Sequence, residues 1–171
     1  MTNNAPHVDR IHERAEVATL AAFGKQSVIY QFATVEANVT IGESCKIGSG
    51  VFVGQDTVMG NNVRIQHGAF IARGSVIGSN VFIGPYAILT DDKYPRAGQE
   101  YIHQPPILED GCSIGAGAII MPGVLIGKNV LVGSGSVVTN SVCAGIVKGS
   151  PARGALPPGK YMLPVAGFGL P

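Results

Sequence analysis

The sequence predicts an all-β fold, a parallel β-helix with three-sided coils, and three observations carry that expectation. Large aliphatic residues recur at a strict six-residue step from Ile29: Val35, Ile41, Ile47, Val53, Met59, Ile65, Ile71, Ile77, Ile83 and Leu89. The step resumes at Leu108 and runs through Ile114, Ile120, Ile126, Val132 and Val138. Gly often follows these positions (Gly42, Gly48, Gly54, Gly60, Gly78, Gly84), and a small or β-branched residue comes four places after them (Val51, Thr57, Val63, Ala69, Ser75, Val81, Ala87). A helix repeats near 3.6 residues and a simple strand at 2, so neither produces a period of six.

Each hexad supplies a short strand and a turn, and three hexads close one coil. The aliphatic residue points inward and stacks on its equivalents in the coils above and below. The Gly after it is expected to permit the turn without a Cβ clash. Hydrogen bonds run between coils, so each coil stabilises its neighbours. An antiparallel sandwich would hold one register over so long a run only by chance.

The solenoid is expected over residues 29–142. Residues 1–28 form an N-terminal segment in which Asp9 to Phe23 suits a short amphipathic helix. The pattern breaks at Thr90 to Ile107, TDDKYPRAGQEYIHQPPI, a polar stretch with three prolines. A long irregular insertion in a compact repeat is usually functional. Residues 143–171 are rich in Gly and Pro and are expected to be largely irregular, with a role in capping the open end.

Composition removes several function classes. Hydrophobic residues make up 46% of the 171 and charged residues 13%, too apolar for a disordered chain. The net charge is +1, with no basic stripe for a nucleic-acid partner. The polar start has no signal-peptide pattern, and no apolar run reaches membrane-spanning length, so no membrane partner is expected. Three cysteines without a CxxC pair argue against a disulfide framework or zinc knuckle, and point to reduced thiols in a cytoplasm.

Four stretches carry a family resemblance: NVRIQ (Asn62 to Gln66), VFIGPYAILTDDKYPR (Val81 to Arg96), IGAGAIIMPGVLIG (Ile114 to Gly127), and VGSGSVVTNSV with VKGSPAR (Val132 to Arg153). Through them the chain resembles the hexapeptide-repeat acyltransferases. Within these it resembles bacterial N-acetyltransferases acting on nucleotide-linked amino sugars, of the UDP-2-acetamido-3-amino-glucuronate and dTDP-3-amino-sugar type. The resemblance implies a left-handed coil, against the usual handedness of parallel crossovers. It also implies acetyl-CoA as co-substrate, no metal, and a homotrimer with sites between subunits. The pantetheine arm would lie along the later coils and the acceptor under the loop.

Acetyl transfer to an amine needs a neutral amine, hydrogen-bond donors for the thioester oxygen, and a thiolate that can leave. Small residues at Gly115, Ala116, Gly117 and Ala118, and at Gly133, Ser134 and Gly135, suit the donor side by leaving backbone N–H groups approachable. Lys148 and Arg153 suit the phosphates of CoA. O-acetyltransferases of the superfamily keep a loop His in a T-x-H-P context, where this chain reads Thr90, Asp91, Asp92, Lys93, Tyr94, Pro95. That absence fits an amine acceptor. The amino-sugar group usually has Asn-Asn after Ile-Gln, where this chain has His67 and Gly68. His67 is therefore the candidate general base, beside Gln66 on the substrate side, and His103 on the loop ranks behind it. Asp91 and Asp92 could hold an ammonium or sugar hydroxyls, Arg96 a carboxylate or diphosphate, and Thr90 completes the substrate-binding set.

Three rivals remain. A γ-type carbonic anhydrase would need histidines where this chain has Ala72, Pro85 and Thr90. A non-catalytic solenoid serving as a binding module has no need of the long loop. Another acyltransferase on a small acceptor, such as a hexapeptide O-acetyltransferase, would keep a loop His that this chain lacks.

Overall fold

The computed structural model describes residues 10–98 and 101–156. Within them the chain is all strand. Twenty two-residue strands, from β1 (Arg10–Ile11), β2 (Glu16–Val17) and β3 (Ala22–Phe23) to β20 (Val137–Val138), wind into a left-handed β-helix. Every third strand shares a face, giving parallel stacks of seven, seven and six, and two later strands bring the first of these sheets to nine. The register step is 18 residues, as in Arg64↔Phe82 and Ile65↔Ile83. It grows to 31 across the loop, where Val76 meets Ile107.

The seventeen aliphatic or Met positions of the six-residue step all point inward and are at most 2% exposed. Burying each is worth roughly 1.5–3 kcal/mol, which makes this stack the main apolar contribution to the core. The residues four places on, from Ala33 to Ala87, fill the remaining interior. The third residue after every inward position except Leu89 and Val138 takes a positive φ, at Gly50, Gly68, Gly117 and Gly135 and also at Asn38, Asn62 and Tyr86. The glycines directly after the inward residue serve another purpose than the turn itself. A Cβ on Gly48 would stand 2.7 Å from the His67 nitrogen one coil above. Close approach of successive corners, and not turn geometry, excludes a side chain there.

Two expectations change. Residues 10–23 are the first coil and not a helix, because Ile11, Val17 and Phe23 extend the six-residue step backwards from Ile29. Their register with Ile29, Val35 and Ile41 is the ordinary one. The tail, expected to be irregular, forms β21 (Ile146–Gly149), parallel to the last coil, and β22 (Ala152–Leu156), which folds back on it antiparallel. This hairpin covers the end of the nine-stranded face. Residues 157–171 and 1–9 lie outside the described residues.

Candidate functional site

The 18-residue coil places chemistry by corner. The first corner, between the nine- and seven-stranded faces, stacks Tyr30, Gly48–Gly50, Gln66–Gly68, Gly84–Tyr86, Gly115–Gly117, Gly133–Gly135 and Lys148 in one line. Gln66, His67 and the Gly and Ser residues expected on the donor side therefore share one edge. Ala116 sits two coils above His67, roughly 10 Å at the spacing of neighbouring strands.

Hydrogen bonding sorts the candidates further. The amides of Gly115, Gly117, Gly133 and Gly135 donate to carbonyls of adjacent coils. The amides of Ser49, His67, Ala116 and Ser134 donate to no acceptor among the described residues. At the third corner the equivalent amides of Glu43, Asn61, Ser79 and Lys128 are capped by side chains. Glu43 N–H donates to Asn61 Oδ1 at 2.8 Å, Asn61 N–H to Ser79 Oγ at 3.1 Å, and Ser79 N–H to Asp110 Oδ1 at 2.8 Å. That edge is a structural ladder, whereas the first corner leaves donors open beside small residues. The glycines contribute space, and Ala116 and Ser134 contribute the N–H groups.

Ala118 leaves the donor set. It is 0% exposed, its N–H donates to Gly115 O and its carbonyl accepts from Ile88. It is the small inward residue of its coil.

At the end of the same line, Lys148 stands directly opposite Arg153 on the antiparallel hairpin. Like charges in that position repel, and an anion shared between them removes the repulsion. At the other end, His67 is exposed, and its ring meets Tyr86 edge to face at 5.2 Å. Tyr86 takes φ +56°, a strained value for a bulky residue, and its ring covers Gly68. A shallow cleft of about 250 Å³ opens below, lined by Tyr30, Lys46, Gly48, Ser49, Ile65, Gln66 and His67.

The loop residues sit elsewhere. Thr90, Asp91, Asp92 and Arg96 leave the second corner, across one face from His67 and up to roughly 20 Å away by strand geometry. The Thr90 hydroxyl donates to Ile120 O at 3.0 Å, and Asp92 Oδ1 accepts from Tyr94 N–H at 3.0 Å. Arg96 is exposed. The loop folds back so that Asp92 bridges His103, and Asp91 accepts from the Tyr101 hydroxyl. His103 Nε2 lies 3.0 Å from Arg73 O and 3.7 Å from Asp91 Oδ2, and Arg73 stacks over the Tyr101 ring. Burial first, then the Asp91 carboxylate, pushes the Tyr101 hydroxyl up to about 12. No sequence pattern marks this latch, because its partners lie on opposite limbs of the loop and on a different coil.

Among the described residues no group of three or more His, Cys, Asp or Glu is placed to hold a metal ion, and no helix is long and apolar enough to cross a membrane.

A prism of hexads with a first corner lined by small residues and open amides fits one class, the hexapeptide-repeat transferases. Residues 56–91 and 105–140 match the family model described as bacterial transferase hexapeptide (six repeats). Residues 33–73 match the hexapeptide repeat of succinyl-transferase. These matches cover more than half of the chain, which belongs to the hexapeptide-repeat family. Among solved structures, the acetyltransferase domain of PglB from Neisseria gonorrhoeae superposes with a TM-score of 0.56 at 22% identity, over 83% of this chain and 55% of that one. A mutant of perosamine N-acetyltransferase from Caulobacter crescentus, in complex with CoA and GDP-perosamine, gives 0.52 at 24%, over 84% and 54%. AntD, an N-acyltransferase from Bacillus cereus in complex with dTDP and 3-hydroxybutyryl-CoA, gives 0.56 at 24%, over 82% and 75%. The chain spans about half the length of the first two. At these identities the likeness is one of fold. A comparison with curated protein sequences finds no match.

Proposed function

We propose that the protein transfers acetyl from acetyl-CoA to the amine of a nucleotide-diphosphate-linked amino sugar. The observation that carries this reading is the row of uncapped amides at the first corner. Ala116 and Ser134 present N–H groups among small residues, on a line that ends at the paired cations Lys148 and Arg153. In the mechanism the neutral amine attacks the thioester carbonyl and those amides hold the developing oxyanion. The C–S bond then breaks, and the proton passes to His67 or to the departing thiolate. Structural neighbours bound to CoA, GDP-perosamine or dTDP support this class of substrate pair. The product fits lipopolysaccharide or related glycan assembly in the cytoplasm.

The working unit is a homotrimer in this reading. The seven-stranded face points Phe52, Phe70, Ile88, Ile119 and Val137 outward, and the six-stranded face points Val58, Val76, Ile107 and Leu125. Apolar faces of this kind call for a covering copy. Packing of copies would bring the loop of one to the His67 corner of the next, which one chain alone does not do.

A hydroxyl acceptor is the second reading, favoured by the latch. His103 is the imidazole with orienting partners, Asp91 and the Arg73 carbonyl, and a hydroxyl needs a base more than an amine does. The test is thiol release from acetyl-CoA across a panel of UDP-, dTDP- and GDP-linked amino sugars and their hydroxyl counterparts. Release with an amino sugar alone supports the proposal. Release with the hydroxyl compounds alone moves it to the second reading.

A further inference from the structure

Two cavities at the N-terminal end of the first corner are unused by the donor line. One, of about 250 Å³, is lined by Tyr30, Lys46, Gly48, Ser49, Ile65, Gln66 and His67. The other, of about 260 Å³, is lined by His12, Val28, Ile29 and Tyr30, so Tyr30 borders both. Neither lining includes a carboxylate.

Lys46 pairs in parallel register with Arg64 on the next coil, so both side chains leave the same face one strand apart. Both are exposed, and neither makes an ion pair among the described residues. Adjacent like charges destabilise each other, and an anion bridging them reverses the sign. Ser49 lines the same cleft as Lys46, and its amide has no acceptor among the described residues and adds a neutral donor. Tyr30 is 43% exposed although aromatic, with its ring free to take a flat partner. Cations one strand apart, a free amide and an open ring match a diphosphate joined to a nucleobase.

We infer that this cleft binds the nucleoside diphosphate of the acceptor, with Lys46 and the Ser49 amide of the lining on the phosphates, Arg64 reaching them from the next strand outside the lining, and Tyr30 against the base. The sugar then extends upward past Gln66 to His67, while the donor enters from the Lys148 end. The two substrates meet near Tyr86. This assignment rests on the acceptor class proposed above. CoA also carries a nucleotide, but the cations Lys148 and Arg153 already serve the far end of the donor line.

Calorimetric titration of UDP, dTDP and GDP, and separately of acetyl-CoA, into the wild type and into the variants Lys46→Ser and Tyr30→Ala tests it. Both side chains are exposed, and thermal melts are the check that the variants fold. At least one diphosphate should bind the wild type. Lys46→Ser should weaken it about tenfold or more, the loss of one charge-assisted contact. Tyr30→Ala should weaken it similarly, with acetyl-CoA affinity unchanged in both. If the variants lose acetyl-CoA and keep the diphosphate, the cleft belongs to CoA and the inference is overturned. Unchanged diphosphate binding in both variants also overturns it, while leaving the proposed activity standing. A wild type that binds acetyl-CoA but none of the diphosphates overturns the cleft and the acceptor class together. Diphosphate binding lost in the variants, without turnover of any amino sugar, keeps the cleft and removes the activity.

Discussion

Replacing Gly84 with Ala should loosen the coil contact beneath the donor line, whereas Gly117→Ala should be mild. An added Cβ at Gly84 would lie 2.6 Å from Ala116 N, 2.8 Å from Gly115 C and 2.9 Å from Ile114 O, all backbone atoms that no rotamer change can clear. Normal contact requires the coils to part by roughly 0.8 Å, which stretches hydrogen bonds past useful length. The bonds affected are Gly84 N–H to Ile114 O at 2.8 Å and Gly117 N–H to Pro85 O at 2.9 Å. At about 1 kcal/mol each, with some packing lost, Gly84→Ala should cost about 2–3 kcal/mol. Gly117 has nothing within 4 Å of its added Cβ, and its φ of +64° is the only obstacle. That cost is about 1 kcal/mol. Urea unfolding would compare the two midpoints at unchanged slope. Because Ala116 carries an open amide, Gly84→Ala should also lower kcat at least tenfold, within the range for a displaced oxyanion donor. Equal destabilisation by both variants, or a larger loss from Gly117→Ala, would refute the distinction between close approach and turn strain.

Other outcomes follow from the same geometry. His67→Ala should reduce kcat about a hundredfold with little change in acceptor KM, and an unchanged kcat removes His67 from the chemistry. Lys148→Ser and Arg153→Ser should each raise the acetyl-CoA KM about tenfold and flatten its salt dependence, since both side chains are exposed and oppose each other. Native protein should react with a thiol reagent at Cys143 only, because Cys45 and Cys112 are buried and burial pushes the Cys112 thiol up to about 12. Labelling of all three before unfolding contradicts the packed interior. Tyr101 is raised in the folded state, so the latch is fully present below the ordinary tyrosine value near 10 and is lost as pH rises through about 12. Phenolate absorbance should show one tyrosine titrating late, and Tyr101→Phe should abolish that step.

The interior was readable from the sequence because a β-helix repeats its environment. One aliphatic every six residues names the core from Ile29 to Val138 without knowledge of the hand or the assembly. The same step also ran through Ile11, Val17 and Phe23, but the charged residues around them gave the stretch a helical look. Corner membership was there to be counted as well. A step of 18 residues puts Gly48, Gln66 and Gly84 on one edge, and the loop insertion continues it to Gly115. Other features depend on contacts that no periodicity encodes. Whether an amide is capped depends on the neighbouring coil, as Asn61 does for Glu43 and nothing does for Ala116. The latch of Tyr101 and His103 onto Asp91 and Arg73 depends on how the loop closes. Ala118 looked like its small neighbours, and only its phase in the six-residue step, one place before the strand, marks it as interior.

The most direct measurement is the chemistry of the bond formed. Incubation with acetyl-CoA and the amino sugar that best releases thiol should yield a product heavier by one acetyl group. That acetyl should survive mild base, as an amide does. A base-labile acetyl would be an ester and would transfer the activity to a hydroxyl, and with it the role of base from His67 to His103.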